Sequence, residues 1–211
     1  GSQDVCSGFF VTQRFVTQAS QSSWDRRAEL DVFHATPSAQ SACGMEDFMK
    51  VVDMHCDTIA ALYENKEKGW TLQDNGLHIR LDKMKQGDYL LQNFALFVCI
   101  ENCEDPYQQA LTLADCFDRQ MALFPEQIGQ VRCYNDILEN QKNGRMSALL
   151  TIEEGAVCQG SLEKLREFYD RGVRMLTLTW NFPNEIGFPN FAISGDGKPD
   201  RTVPNTKDGL T

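Results

Sequence analysis

Residues 51–58 read Val-Val-Asp-Met-His-Cys-Asp-Thr, a short apolar run closing on a His-x-Asp pair, His55 and Asp57. On a β-strand, residues two apart point to the same side, so an imidazole and a carboxylate would project together. Both are good ligands for zinc-like divalent ions. The competing reading is a buried, hydrogen-bonded histidine beside a turn aspartate. A further carboxylate, Glu153, ends the apolar run 146–152, and another run, 173–179, ends in Trp180-Asn181. The C-terminal ends of parallel strands are where barrel enzymes place their chemistry. A lone glutamate there is also an ordinary solvated loop residue.

The elements that must position these residues alternate from residue 50 onward. Residues 51–53, 92–100, 146–152 and 173–179 read as strands. Between them, 81–86 reads as a helical turn. Asp105-Pro106 opens a long helix, with Pro106 suited to a first turn. Asn135 is a candidate cap for a helix ending near Asn143-Gly144. Ser161 caps a helix whose apolar face is Leu162, Leu165, Phe168 and Tyr169, and Gly172 ends it. The strand-helix-strand unit over 146–179 implies parallel pairing by a right-handed crossover. An α/β fold follows, either a barrel or a doubly wound sheet. The tail 181–211, rich in Pro, Gly, Asn and Asp, reads as a long loop, functional or disordered.

Length and composition bound the rest. The 211 residues are 42% hydrophobic and 24% charged, ordinary for one globular domain. A formal net charge of -10 argues against nucleic-acid binding. No run of about 18 apolar residues marks a membrane span, and no basic-then-apolar N-terminus marks a signal peptide. The eight cysteines form no C-x-x-C pair and scatter through apolar stretches, which favours reduced thiols and a cytoplasmic location. Cys99 and Cys103, four apart, are a metal or disulfide candidate. Residues 1–44, rich in Ser, Gln, Thr and Ala, read as an unassigned or disordered segment ahead of a domain at 45–211.

Four stretches, in order, resemble the membrane (renal) dipeptidase family of zinc peptidases, in its bacterial-type form and over its N-terminal half. Asp53-Met54-His55-Cys56-Asp57 resembles the family's Asp-Gly-His-Asn-Asp. Residues 92–98, Gln-Asn-Phe-Ala-Leu-Phe-Val, resemble its second strand. Ile152-Glu153-Glu154-Gly155 resembles Ile/Val-Glu-Gly-Gly, and residues 172–179 resemble Gly-x-Arg-Tyr-x-Thr-Leu-Thr. The resemblance implies a (β/α)₈ TIM barrel of the metal-dependent hydrolase type with two Zn²⁺ ions. His55 and Asp57 would hold the first zinc, and Glu153, the catalytic carboxylate, would bridge both. Glu154 falls where many relatives carry Gly and ranks below Glu153. Two zincs would polarise the peptide carbonyl of a dipeptide substrate and acidify the attacking water. A homodimer is one state the resemblance allows.

Two departures limit this expectation. Mammalian members carry His directly after Thr-Leu-Thr, whereas Trp180 and then Asn181 stand here, as in bacterial relatives. Trp180 and Asn181 become candidate substrate contacts, with pocket-wall packing as the alternative. The family's second-zinc histidines lie beyond the matched half. The three histidines here are His34, His55 and His78, and His78 reads as a surface residue. The expectation is a half barrel, apparently truncated, with an unpaired edge at the last strand and no dipeptidase activity by itself. The alternatives are another metal-dependent amidohydrolase, which His-x-Asp in place of His-x-His disfavours, and a non-catalytic binding module.

Overall fold

The structure, a computed structural model, describes residues 10–12, 50–207 and 209–210. The expectation for 1–44 falls outside these residues except at 10–12. In chain order the elements are β1 (Phe10–Thr12), β2 (Val51–Asp53), α1 (Thr58–Glu64), α2 (Leu81–Gln86), β3 (Tyr89–Leu96), α3 (Pro106–Leu123), β4 (Ile128–Gln130), α4 (Tyr134–Lys142), β5 (Met146–Ile152), α5 (Leu162–Asp170), β6 (Val173–Thr177), β7 (Phe191–Ile193) and β8 (Pro199–Pro204).

The main sheet is parallel throughout, in the order β1-β6-β5-β3-β2, with β4 alongside the start of β5. Parallel pairing forces each connection over a face of the sheet, and helices fill those crossovers. The α/β reading therefore holds. Among the described residues the sheet is open, and its ends are β1 and β2. The expected bare edge at the last strand is covered, because Phe10–Thr12 pairs with Met175–Thr177.

Alternation along β3 and β5 divides the sheet's two faces. Phe94, Leu96, Leu150 and Ile152 join Ala110, Leu113 and Phe117 of α3 in one core, all nearly solvent-free. The rings of Phe94 and Phe117 sit 5.9 Å apart at 57°, a tilted arrangement that aromatic pairs favour. The opposite face presents Asn93, Ala95 and Thr151, with Ala95, Thr151 and Met175 in register across three strands. The functional residues project beyond this second face, at the C-terminal strand ends.

Local signals explain several boundaries. Asp105 caps α3 by accepting from the Gln108 N–H, with Pro106 following it. Ser161 caps α5 through Lys164 N–H. Other expectations shift. The second strand runs from Tyr89 to Leu96 rather than over 92–100, and the last ends at Thr177. The cap of α4 is Cys133, not Asn135, because the Asp136 carboxylate reaches back to the Cys133 N–H and fixes the start there. Leu162 is 81% exposed, so it leaves the apolar face of α5; the buried anchor is Phe168. The tail is not one loop: β7 and β8 form an antiparallel hairpin.

Phe94→Ala should remove about 3–5 kcal/mol of stability by leaving a cavity against Phe117. Urea titration should show a lower midpoint with an unchanged slope.

Candidate metal centre

The His-x-Asp pair does not lie on β2 itself. That strand ends at Asp53, paired with Gln92. The backbone resumes pairing at Cys56, whose N–H donates to Asn93 O and whose carbonyl accepts from Ala95 N–H, the pattern that sets Cys56 opposite Phe94. Three steps along one strand therefore match two along the other. One extra residue is accommodated between Asp53 and Cys56, as in a β-bulge, a device that re-aims side chains near sites. Cys56 thereby faces the core with Phe94, and His55 and Asp57 take the opposite face. Asp53 secures the irregularity, its Oδ1 accepting from the His55 N–H at 3.2 Å.

Asp57 occupies the N-cap position of α1 but makes no side-chain capping bond. Aspartate is a favoured cap; here its carboxylate is turned toward His55 instead. Asp57 Oδ1 lies 3.3 Å from His55 Nε2, and Glu153 Oε2 lies 3.1 Å from the same nitrogen. Glu153 follows β5 and is 5% exposed. Its N–H still donates to Leu96 O, at 3.4 Å, so the strand end is held in the ladder. Ligand atoms of the three side chains all fall within 4.8 Å of one another, a unique grouping among the described residues.

The donor set and its spacing fit a divalent metal. Zinc bonds to His N and carboxylate O are about 2.0–2.2 Å, so tetrahedral neighbours stand roughly 3.4 Å apart. His55 Nε2 is buried, with one oxygen of each carboxylate against it at 3.3 and 3.1 Å. Without an ion, a proton on His55 offsets the two carboxylates. Polar contact with Asp57, then with Glu153, outweighs burial and raises the imidazole to about 10. Burial lifts the Cys56 thiol to about 11, so it stays neutral beside the site.

The second glutamate has a separate task. Glu154 is fully buried. Its Oε1 accepts from Ala156 N–H (3.0 Å) and Asn184 Nδ2 (2.6 Å), and its Oε2 accepts from Trp180 N–H (3.1 Å). Burial pushes its carboxyl above the ordinary range, opposed by these three donors. The Trp180 ring meets Phe97 edge-on, with centroids 4.8 Å apart, and Phe182 at 6.5 Å. Asn181 is half-buried in the same turn. Gly155 must be glycine, since a Cβ there would sit 2.4 Å from Leu178 O. Phe97 and Asn184 were not singled out in the sequence, and Glu154 ranked below Glu153; the available signal was a second glutamate before a glycine at a strand end. His78 is exposed, as expected, and His34 lies outside the described residues. Cys99 and Cys103 are free thiols.

Comparison with known proteins gives a consistent picture. The family model for membrane dipeptidase (peptidase family M19) matches residues 40–211. An uncharacterized dipeptidase of Schizosaccharomyces pombe is 31% identical over 169 residues, covering 72% of this chain and 40% of that protein. Dipeptidase 3 of Rattus norvegicus is 31% identical over 151 residues, covering 67% and 29%. The chain thus spans less than half the length of these curated relatives. Two solved structures share the fold. The metallopeptidase called dipeptidase AC superposes with TM-score 0.63 at 23% identity, over 77% of this chain and 50% of that one. A Rhodobacter sphaeroides metallopeptidase, liganded with a phosphinate mimic of L-Ala-D-Ala, superposes with TM-score 0.59 at 21% identity, over 67% and 48%. The chain belongs to the membrane dipeptidase family.

In metal-free protein the His55 imidazole should remain protonated through pH 8, which ring-nitrogen NMR can read, and Glu153→Gln should lower its titration point. The sign follows from the raised value. The charged pair adds stability in full below the unfolded histidine's ordinary value near 6.5. That contribution is lost as pH rises through about 10.

Proposed function

We propose that this member of the membrane dipeptidase family carries one metal subsite of a zinc-dependent dipeptidase, with His55, Asp57 and Glu153 as its ligands. The observation that carries the reading is the convergence, from two strand ends, of an Asp57 and a Glu153 carboxylate oxygen on the buried Nε2 of His55, all three ligand atoms lying within 4.8 Å of one another. Neutral imidazole and two carboxylates suit zinc, and three protein ligands leave a coordination position open, the pattern of catalytic rather than structural sites.

The roles of the side chains follow from their surroundings. Glu153, almost wholly buried, sets where positive charge is stabilised and would hold a metal ion together with His55 and Asp57. Asp57, 55% exposed at its side chain, lies on the rim and completes the triad from the solvent side. His55 must shed its proton when an ion binds, so metal uptake is coupled to pH. The chemistry supplied by a divalent metal held there is Lewis-acid polarisation of a scissile carbonyl and acidification of the attacking water. Trp180 and Asn181, at the neighbouring strand end, are the proposed substrate contacts, and the substrate is a dipeptide.

A second ion needs ligands that the described residues do not bring to this triad. We therefore infer that the chain binds one zinc tightly and turns over dipeptides poorly or not at all without a source of further ligands. The same sheet, with its site at the strand ends, is read as half of a (β/α)₈ barrel.

Zinc titration of the full chain should give near one equivalent, with protons released on binding and weaker uptake at lower pH. His55→Ala or Glu153→Ala should weaken uptake by about 10- to 100-fold or more. Zinc uptake unaffected by both substitutions would refute the site. Chelator-sensitive hydrolysis of alanyl dipeptides by the pure chain would refute the incomplete-site reading.

A further inference from the structure

The order of strand ends makes two side-chain bridges cross one another. His55, from the β2 end, reaches over β3 to Glu153 at the β5 end. Phe97, from the β3 end, reaches over β5 to Trp180 beyond β6. The two bridges therefore interleave along the row of strand ends, and Phe182 extends the aromatic one. Trp180 stands in a turn with no regular secondary structure. Its backbone N–H is held by Glu154 Oε2, while Glu154 Oε1 holds Asn184 from the far side of the same turn. Asn184 then ties the turn together, donating to Leu178 O and accepting from the N–H groups of Ile186 and Gly187.

The geometry points to Glu154 as a positioning residue that fixes an aromatic wall, Phe97–Trp180–Phe182, as the subsite for an apolar side chain of the bound dipeptide. The ligand half of this inference rests on the dipeptidase reading above; the clamp does not. Three features support it. A fully buried carboxylate is costly unless fully hydrogen-bonded, and all three of its donors belong to the two segments that meet at this wall. The contacts divide by oxygen atom, so Trp180 can be released selectively. The rings themselves carry an apolar surface with edge-to-face packing, suited to an aliphatic or aromatic side chain and ill suited to a charged one.

Glu154→Gln is the diagnostic change. Glutamine keeps one acceptor oxygen, enough for Ala156 and Asn184, but turns an NH₂ donor toward the Trp180 N–H. In the full chain without metal, the Trp180 indole resonance, assigned by Trp180→Phe, should shift in Glu154→Gln. The Trp70 indole should stay in place. A general structural role would move both; an unmoved Trp180 resonance would overturn the clamp. Zinc-loaded chain should then be titrated with phosphinate mimics of Ala-Ala, Leu-Ala and Ala-Leu. One leucine mimic should bind on the order of tenfold tighter than Ala-Ala, from burial of the added apolar groups. That ratio should fall toward one in Glu154→Gln. Trp180→Leu, which retains the backbone clamp, should also lower it, keeping the test available if Glu154→Gln does not fold. Equal binding of all three mimics, binding of none, or a preference that survives Trp180→Leu would overturn the subsite. A chain that takes up no zinc would fail the dipeptidase reading, while the indole measurement would still decide the clamp.

Discussion

Two adjacent glutamates at the end of one central strand constrain everything around them. β5 has partners along both edges, and its last residues carry Glu153 and Glu154 into a nearly dry environment. A buried carboxylate must find charge or donors, or it destabilises the fold by several kcal/mol. Strand alternation sends the two apart. Glu153 meets an imidazole brought from two strands away; Glu154 meets three N–H donors from its own turn and the turn after β6. One carboxylate is thus matched by an imidazole whose proton a metal ion could replace, the other by backbone and amide donors that stay in place.

The imidazole reaches its place because the β2 segment carries one residue more than β3 between Asp53 and Cys56. Without it, His55 would share Asp53's side of the sheet, the side of Gln92. The irregularity costs a regular ladder position, and the Asp53 carboxylate offsets part of that by taking the His55 N–H. Asp57 forgoes capping α1 for the same site. Local regularity is set aside at both residues in favour of the arrangement around His55, as is common at functional sites.

Much of this was legible in the chain. The run 146–152 is apolar but for Ser147 and Thr151 and became β5 with those bounds, and Asp105-Pro106 opened α3 because its signal is chemical and local. His55, Asp57 and Glu153 stood out because their types suit metals and two of them end apolar runs. What was hidden depends on partners distant in sequence. The register slip before Cys56 is visible only against β3. Ile128–Gln130 is too short to read as a strand without β5 beside it. Glu154 looks like a lesser copy of Glu153 until the turn holding Asn184 is folded over it.

The reach across β3 also bears on which residue types can meet there. Neighbouring strands lie about 4.8 Å apart, so β2 and β5 are separated by roughly 9.6 Å. A histidine and a glutamate together can close that gap to the 3.1 Å observed; an aspartate on β5 would fall about one carbon–carbon bond short. The residue beneath must also be small, and Ala95 occupies the intervening strand on that face. At the next level Phe97 is large, and its ring packs edge-on against Trp180. The aromatic contact and the His55–Glu153 contact thus interleave along the same row of strand ends, and Glu154, next to Glu153 in the chain, holds the backbone of Trp180.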